Sequence, residues 1–187
     1  MARVAYVGKS DLAPENQDLL ARNITLHRAL AHSPNGLRAF GGLGQFIRHK
    51  SRFDPRLREL AMLQVGYLAR APYEWSHHVK IGREFGVTDD DIHALIAETE
   101  GRSSKLETLA KGVLKAARDM TNDRVIAEPT FAALAEDLDW ERLVDLVITI
   151  SFYNAVVRLL GSLQIDVEPE YLSYLEEFPL PAAEERA

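Results

Sequence analysis

Apolar residues recur at helical spacing along most of the chain, in blocks separated by proline, glycine and capping residues, and strand alternation is nearly absent. Pro14, near the start of ENQDLLARNITLHRAL, reads as the opening of a first helix. Ser33 as cap and Pro34 at the first helical position open a second, HSPNGLRAFGGLGQFIRHK. Asp54 and Pro55 repeat that signal before RLRELAMLQVGYLARA, and Pro72 then opens a helix that Gly86 ends. Thr88 with Asp91 and Ser104 with Glu107 have capping-box spacing ahead of DDDIHALIAE and SKLETLAKGVLKAARDMT. Pro129 starts PTFAALAEDL, and Asp139 is placed to cap a long helix beginning at Trp140. The pattern predicts an all-α fold, a single-domain bundle of about eight helices over residues 1–187. The acidic, proline-punctuated tail 169–187 is read as a segment that wraps over a neighbour or stays partly disordered.

The helix opened by Pro72 carries two adjacent histidines beside a glutamate and a tryptophan, in RAPYEWSHHVKIG. At 100° per residue, His78 falls in the middle of an arc with Trp75, Val79, Gly82 and Phe85, and Glu74 flanks it. His77 lies about a quarter-turn away, on the side of Tyr73, Lys80 and Glu84, and is expected to meet solvent or a subunit boundary. Glu74 and His78 are one turn apart and can interact, whereas neighbours such as His77 and His78 cannot face one another. The pairing suits proton transfer, and it equally suits a half-buried histidine bonded to a helical neighbour. Glu59 lies in the preceding helix, which is apolar nearly all round, so its carboxylate needs either a partner or a use. A core ion pair with Arg56 or Arg58 is one reading, and a buried acid beside His78 is the other.

Other features narrow the field. LVDLVITISFYNAVVRLLGSL (143–163) is long and apolar, but Asp145, Asn154 and Arg158 favour a helix buried in the core or in a subunit interface over a membrane span. On it Ser151, Asn154, Arg158 and Ser162 form one polar stripe that either lines a cavity or faces solvent. A net charge of -6 argues against nucleic acid or an anionic membrane as partner. The N-terminus lacks a secretory leader pattern, so the cytoplasm is the expected compartment. The chain contains no cysteine, which removes disulfides, thiolate ligands and thiol redox chemistry.

The stretch RLRELAMLQVGYLARAPYEWSHHVKIGREFGVTDDDIHAL (56–95) resembles the carboxymuconolactone decarboxylase superfamily, which includes the alkylhydroperoxidase D-like proteins. In the thiol branch a glutamate precedes a Cys-x-x-Cys by twelve residues, and a histidine follows four residues after the second cysteine. Counted from Glu59, the cysteine positions fall on Ala71 and Glu74 and the histidine position on His78. The lactone decarboxylase branch also lacks the cysteines and is similar in having a glutamate four residues before the histidine. A looser likeness reaches FYNAVVRLLGSLQIDVEPE, and the superfamily core is expected over 35–120.

The resemblance implies an all-α protein that assembles as trimers or hexamers and works without metal or cofactor. It implies decarboxylation or isomerisation of a small carboxylic acid, lactone or aromatic-derived, with a peroxidase disfavoured for want of a thiol. His78 is then the proton donor, with Glu59 and Glu74 orienting it. Arg70, Trp75, Tyr153, Asn154 and Arg158 are the candidate substrate contacts. The competing readings are a non-catalytic oligomeric ligand-binding member of the superfamily, and a metal site built from Glu59, Glu74 and His78.

Overall fold

Proline in the first turn sets several helix starts in the computed structural model, which describes residues 1–182. The described residues form nine α-helices joined by turns and short 3-10 segments: α1 Thr25–Leu30, α2 Pro34–His49, α3 Pro55–Leu68, α4 Pro72–Glu84, α5 Asp89–Thr99, α6 Thr108–Asp123, α7 Glu128–Asp137, α8 Trp140–Leu163 and α9 Leu172–Glu177. Asp54, Thr88 and Asp139 cap α3, α5 and α8 by accepting from the backbone N–H groups of Leu57, Asp91 and Arg142. Gly86, at φ 93°, closes α4 in a left-handed conformation that suits glycine.

Two expected helix starts are corrected. The first helix is divided: Pro14–Leu20 is 3-10, and α1 begins only at Thr25, whose N–H and hydroxyl bond the Glu168 carboxylate. Ser104 does not cap α6. Its hydroxyl bonds Glu98 across the turn instead, and the helix begins at Thr108.

α3 is the central element. Every residue from Leu57 to Tyr67 is buried, because α4, α5, α6 and α8 surround it. α8 packs on α3 through Leu146, Ile150, Tyr153 and Val157, which belong to the main core. Its most apolar window is 56% buried. Asp145, the charge within it, accepts from the Ser51 hydroxyl and the Arg52 N–H, so the buried carboxylate is paired.

After α8 the chain turns back over α4. Residues 169–182 lie against their own chain there, and residues 183–187 of the predicted tail fall outside those described. The Trp75 indole, fully buried, donates to the Phe178 carbonyl at 2.7 Å and ties this return segment to α4. Trp75→Phe keeps an aromatic ring and orphans the carbonyl, so it should cost about 1–3 kcal/mol. For a chain of this length that lowers Tm by roughly 3–10 °C. An unchanged melting curve would show that the tie contributes nothing.

Candidate functional site

α3 and α4 run antiparallel through the short turn at Ala69–Ala71. A Cβ on Gly82 would stand 3.2 Å from the Val87 side chain just past α4, so glycine there lets the chain fold back closely behind Glu59. The crossing brings together residues that are 19 apart in sequence: the Glu59 carboxylate meets His78 Nδ1 at 2.7 Å. Glu59 is completely buried and also accepts from the Arg58 guanidinium at 3.2 Å. Arg58 in turn bonds the Arg48 carbonyl and stacks over the Phe85 ring. The two readings of Glu59 are therefore both met: Arg58 and His78 share it, while Arg56 pairs with Asp91 and Glu107.

On the other side of the ring, His78 Nε2 lies 2.9 Å from Glu74 Oε1 as an ion-pair contact. That oxygen makes no hydrogen bond and is one of few buried polar atoms left without one. We therefore read the Glu59 contact as a true charge-assisted hydrogen bond and the Glu74 contact as electrostatic. Burial alone would lower the His78 pKa, but the charges of Glu59 and Glu74 overcome it and raise the pKa to about 9. His78 thus carries both protons at neutral pH. His78, with its neighbours, holds Glu59 below the usual carboxylate range against the opposing effect of burial.

Glu74 and His78 form part of the floor of a cavity of about 370 Å³ between α1, α2, α4 and α8, while Glu59 lies behind them. Tyr153 lines the floor too, its ring edge-on to His78 at 5.0 Å, and burial holds its phenol protonated. Apolar walls come from Ile24, Phe40, Ile81, Phe152 and Val156. Of the expected substrate contacts, only Tyr153 lines this cavity. Trp75 is a core residue, Arg70 sits in a left-handed conformation just past the end of α3, and Asn154 and Arg158 face away, bonded to each other beside Thr121. Ser151, Asn154 and Arg158 of the polar stripe on α8 line a separate, shallow hollow with Met120 of α6 and Arg124 just beyond it.

His77 departs from the expected exposure. It is 3% exposed, stacked between Tyr73 and Tyr171 with centroid distances of 4.0 and 3.6 Å, and its Nε2 bonds Glu168 at 2.8 Å. The chain beyond α8 covers that face of α4, which the periodicity of α4 alone cannot reveal. Arg22, His27 and Arg48 also line the cavity, and no spacing signal in the sequence singles them out. Both nitrogens of His78 are engaged by carboxylates, and among the described residues no group of three or more His, Cys, Asp or Glu side chains is placed to hold a metal ion.

Residues 34–103 match the model of the carboxymuconolactone decarboxylase family. No curated protein matches the chain. Among solved structures, an AhpD-core, peroxidase-related protein from Ralstonia eutropha JMP134 is similar with a TM-score of 0.78 at 17% identity, over 93% of this chain and 95% of that one. The debrominase Bmp8, as a cysteine-to-alanine variant in complex with 2,3,4-tribromopyrrole, is similar with a TM-score of 0.78 at 18% identity, over 95% of this chain and 99% of that one. A protein of unknown function from Agrobacterium tumefaciens, associated with AhpD antioxidant defence, has a TM-score of 0.64 at 18% identity, over 74% of this chain and 94% of that one. At such identities these likenesses are ones of fold.

Proposed function

We propose, from the premise that this cysteine-free chain carries a carboxymuconolactone decarboxylase family segment within an AhpD-like all-α fold, that it catalyses cofactor-free decarboxylation of a small unsaturated carboxylic acid. The observation that carries this reading is the His78 imidazolium, locked on Nδ1 by Glu59 and presenting Nε2 beside the cavity without a well-formed hydrogen bond. A group held in that state is an acid ready to give up one proton at neutral pH.

In the reaction the bond between the substrate carbon and its carboxylate breaks, and CO2 leaves. The electron pair passes into the conjugated frame, and the Nε2 proton of His78 then bonds to a carbon of that frame. The neutral imidazole recovers its proton from water, so no oxidant, metal or thiol enters the balance. The apolar walls strengthen every charge interaction inside the cavity. With Cys absent, a thiol cycle has no nucleophile in this chain.

The test is a screen in D2O of carboxymuconolactone and related lactone and aromatic-derived acids. The expected result is CO2 release with one deuterium in the product, at the carbon that is reprotonated. Ligand binding with neither CO2 release nor exchange across the panel would instead support a binding protein that has lost the chemistry.

A further inference from the structure

The cavity has a second pole that the proton-transfer reading does not use. Arg22, from the segment between the 3-10 turn and α1, and Arg48, from the last turn of α2, line the same space as Glu74 and His78. Arg38 on the same wall is paired with Asp18, and Arg58 behind it with Glu59. Arg22 and Arg48 differ: among the described residues no carboxylate lies within 4 Å of either. Each depresses the pKa of His27, after burial, to about 4, so that histidine is neutral. Its Nδ1 is buried without a hydrogen-bond partner. Two guanidiniums with no carboxylate partner and an unpaired imidazole nitrogen therefore line the cavity that the unbonded Glu74 oxygen also borders.

We infer that Arg22 and Arg48 form an anion pole that holds a carboxylate of the ligand that stays on during the reaction. The inference rests on the proposed decarboxylation only for the orientation it assigns. A departing carboxylate clamped by two guanidiniums would be stabilised before the transition state and would lose rate. Set near Glu74 and the apolar wall, it is destabilised, while Arg22 and Arg48 anchor the frame through the other carboxylate. The ligand class is a flat, unsaturated acid with a second anionic group, of a size the 370 Å³ space admits. Arg22 and His27 precede the 34–103 segment, so the pole is built largely by this chain's own N-terminal elements.

Calorimetric titration with isophthalate, benzoate and dimethyl isophthalate tests the pole without requiring turnover. Benzoate, which has one carboxylate for the pole, should bind the wild-type protein at least about tenfold more tightly than dimethyl isophthalate, which has none, while isophthalate gains nothing from a second carboxylate set near Glu74. Arg22→Gln and Arg48→Gln should each weaken benzoate about tenfold or more while leaving the melting temperature unchanged. Equal binding of benzoate and the diester, unaltered binding in both variants, or no binding of benzoate to the wild type overturns the pole. The two ideas fail separately. Charge-selective binding lost in the arginine variants, with no CO2 release or deuterium exchange, upholds the pole and removes the decarboxylation. Turnover with arginine variants that bind normally does the reverse.

Discussion

His78→Gln should lower kcat on the substrate found in the D2O screen by roughly 10²–10⁴-fold, the range that general acid catalysis supplies. The loss follows from the position of the imidazole: it is the one cavity-lining group that carries a proton at neutral pH between two carboxylates. Glutamine can still donate toward Glu59 or Glu74 but delivers no proton to carbon. The pH profile gives an independent check. The protonated imidazole is the active form, so kcat/KM of the wild type should be level below, and fall as pH rises through, about 9. The stability linkage has the same sign. The folded pKa lies above the ordinary 6.5, so the contribution to folding is complete below 6.5 and is lost as pH rises through about 9. NMR titration of His78 reads the pKa directly, and an imidazole found neutral at pH 7 would remove it as donor. Circular dichroism and a melting curve must show the variant folded before a rate is compared, since it leaves Glu74 without its cation.

What the sequence revealed of this site depended on whether the information was local. Pro55 and Pro72 declare the starts of α3 and α4, and a three-residue turn between two such helices forces an antiparallel pair. Glu59 and His78 then lie at matching distances from that turn, and their meeting follows from spacing plus the apolar surroundings of Glu59. His77 failed the same kind of argument, because its burial comes from Tyr171 and Glu168, about ninety residues further on. Arg22 and Arg48 were silent for a related reason: the cavity is closed by α1 and α2, whose placement is set by tertiary packing rather than by any repeat. Asn154 and Arg158 illustrate the converse. A polar stripe on an apolar helix is a strong local signal, yet it lines a shallow hollow apart from the His78 cavity, where the pair bond one another.

Glu59→Gln should be the most destabilising single substitution at the site. Glutamine matches the carboxylate in shape and keeps one acceptor, so the cavity and the packing at Gly82 are undisturbed. The charge, however, is removed from between two cations, Arg58 and His78, in a fully buried setting. Breaking a buried pair from one side typically costs about 3–5 kcal/mol, because the partner charge is left uncompensated. For this chain length that lowers Tm by roughly 6–20 °C. The same change separates a positioning role from a purely structural one. Glu59 is the first of the charges that raise the His78 pKa, so in the variant the imidazole should titrate well below 9. The alkaline fall in kcat/KM should then move to lower pH, with part of the rate retained at acidic pH where His78 is still protonated. Glu59→Asp, which restores the charge on a shorter arm, should recover part of the alkaline limb. A variant that is destabilised but keeps the wild-type pH profile would leave Glu59 as a structural ion-pair partner and deny it any part in setting the acid.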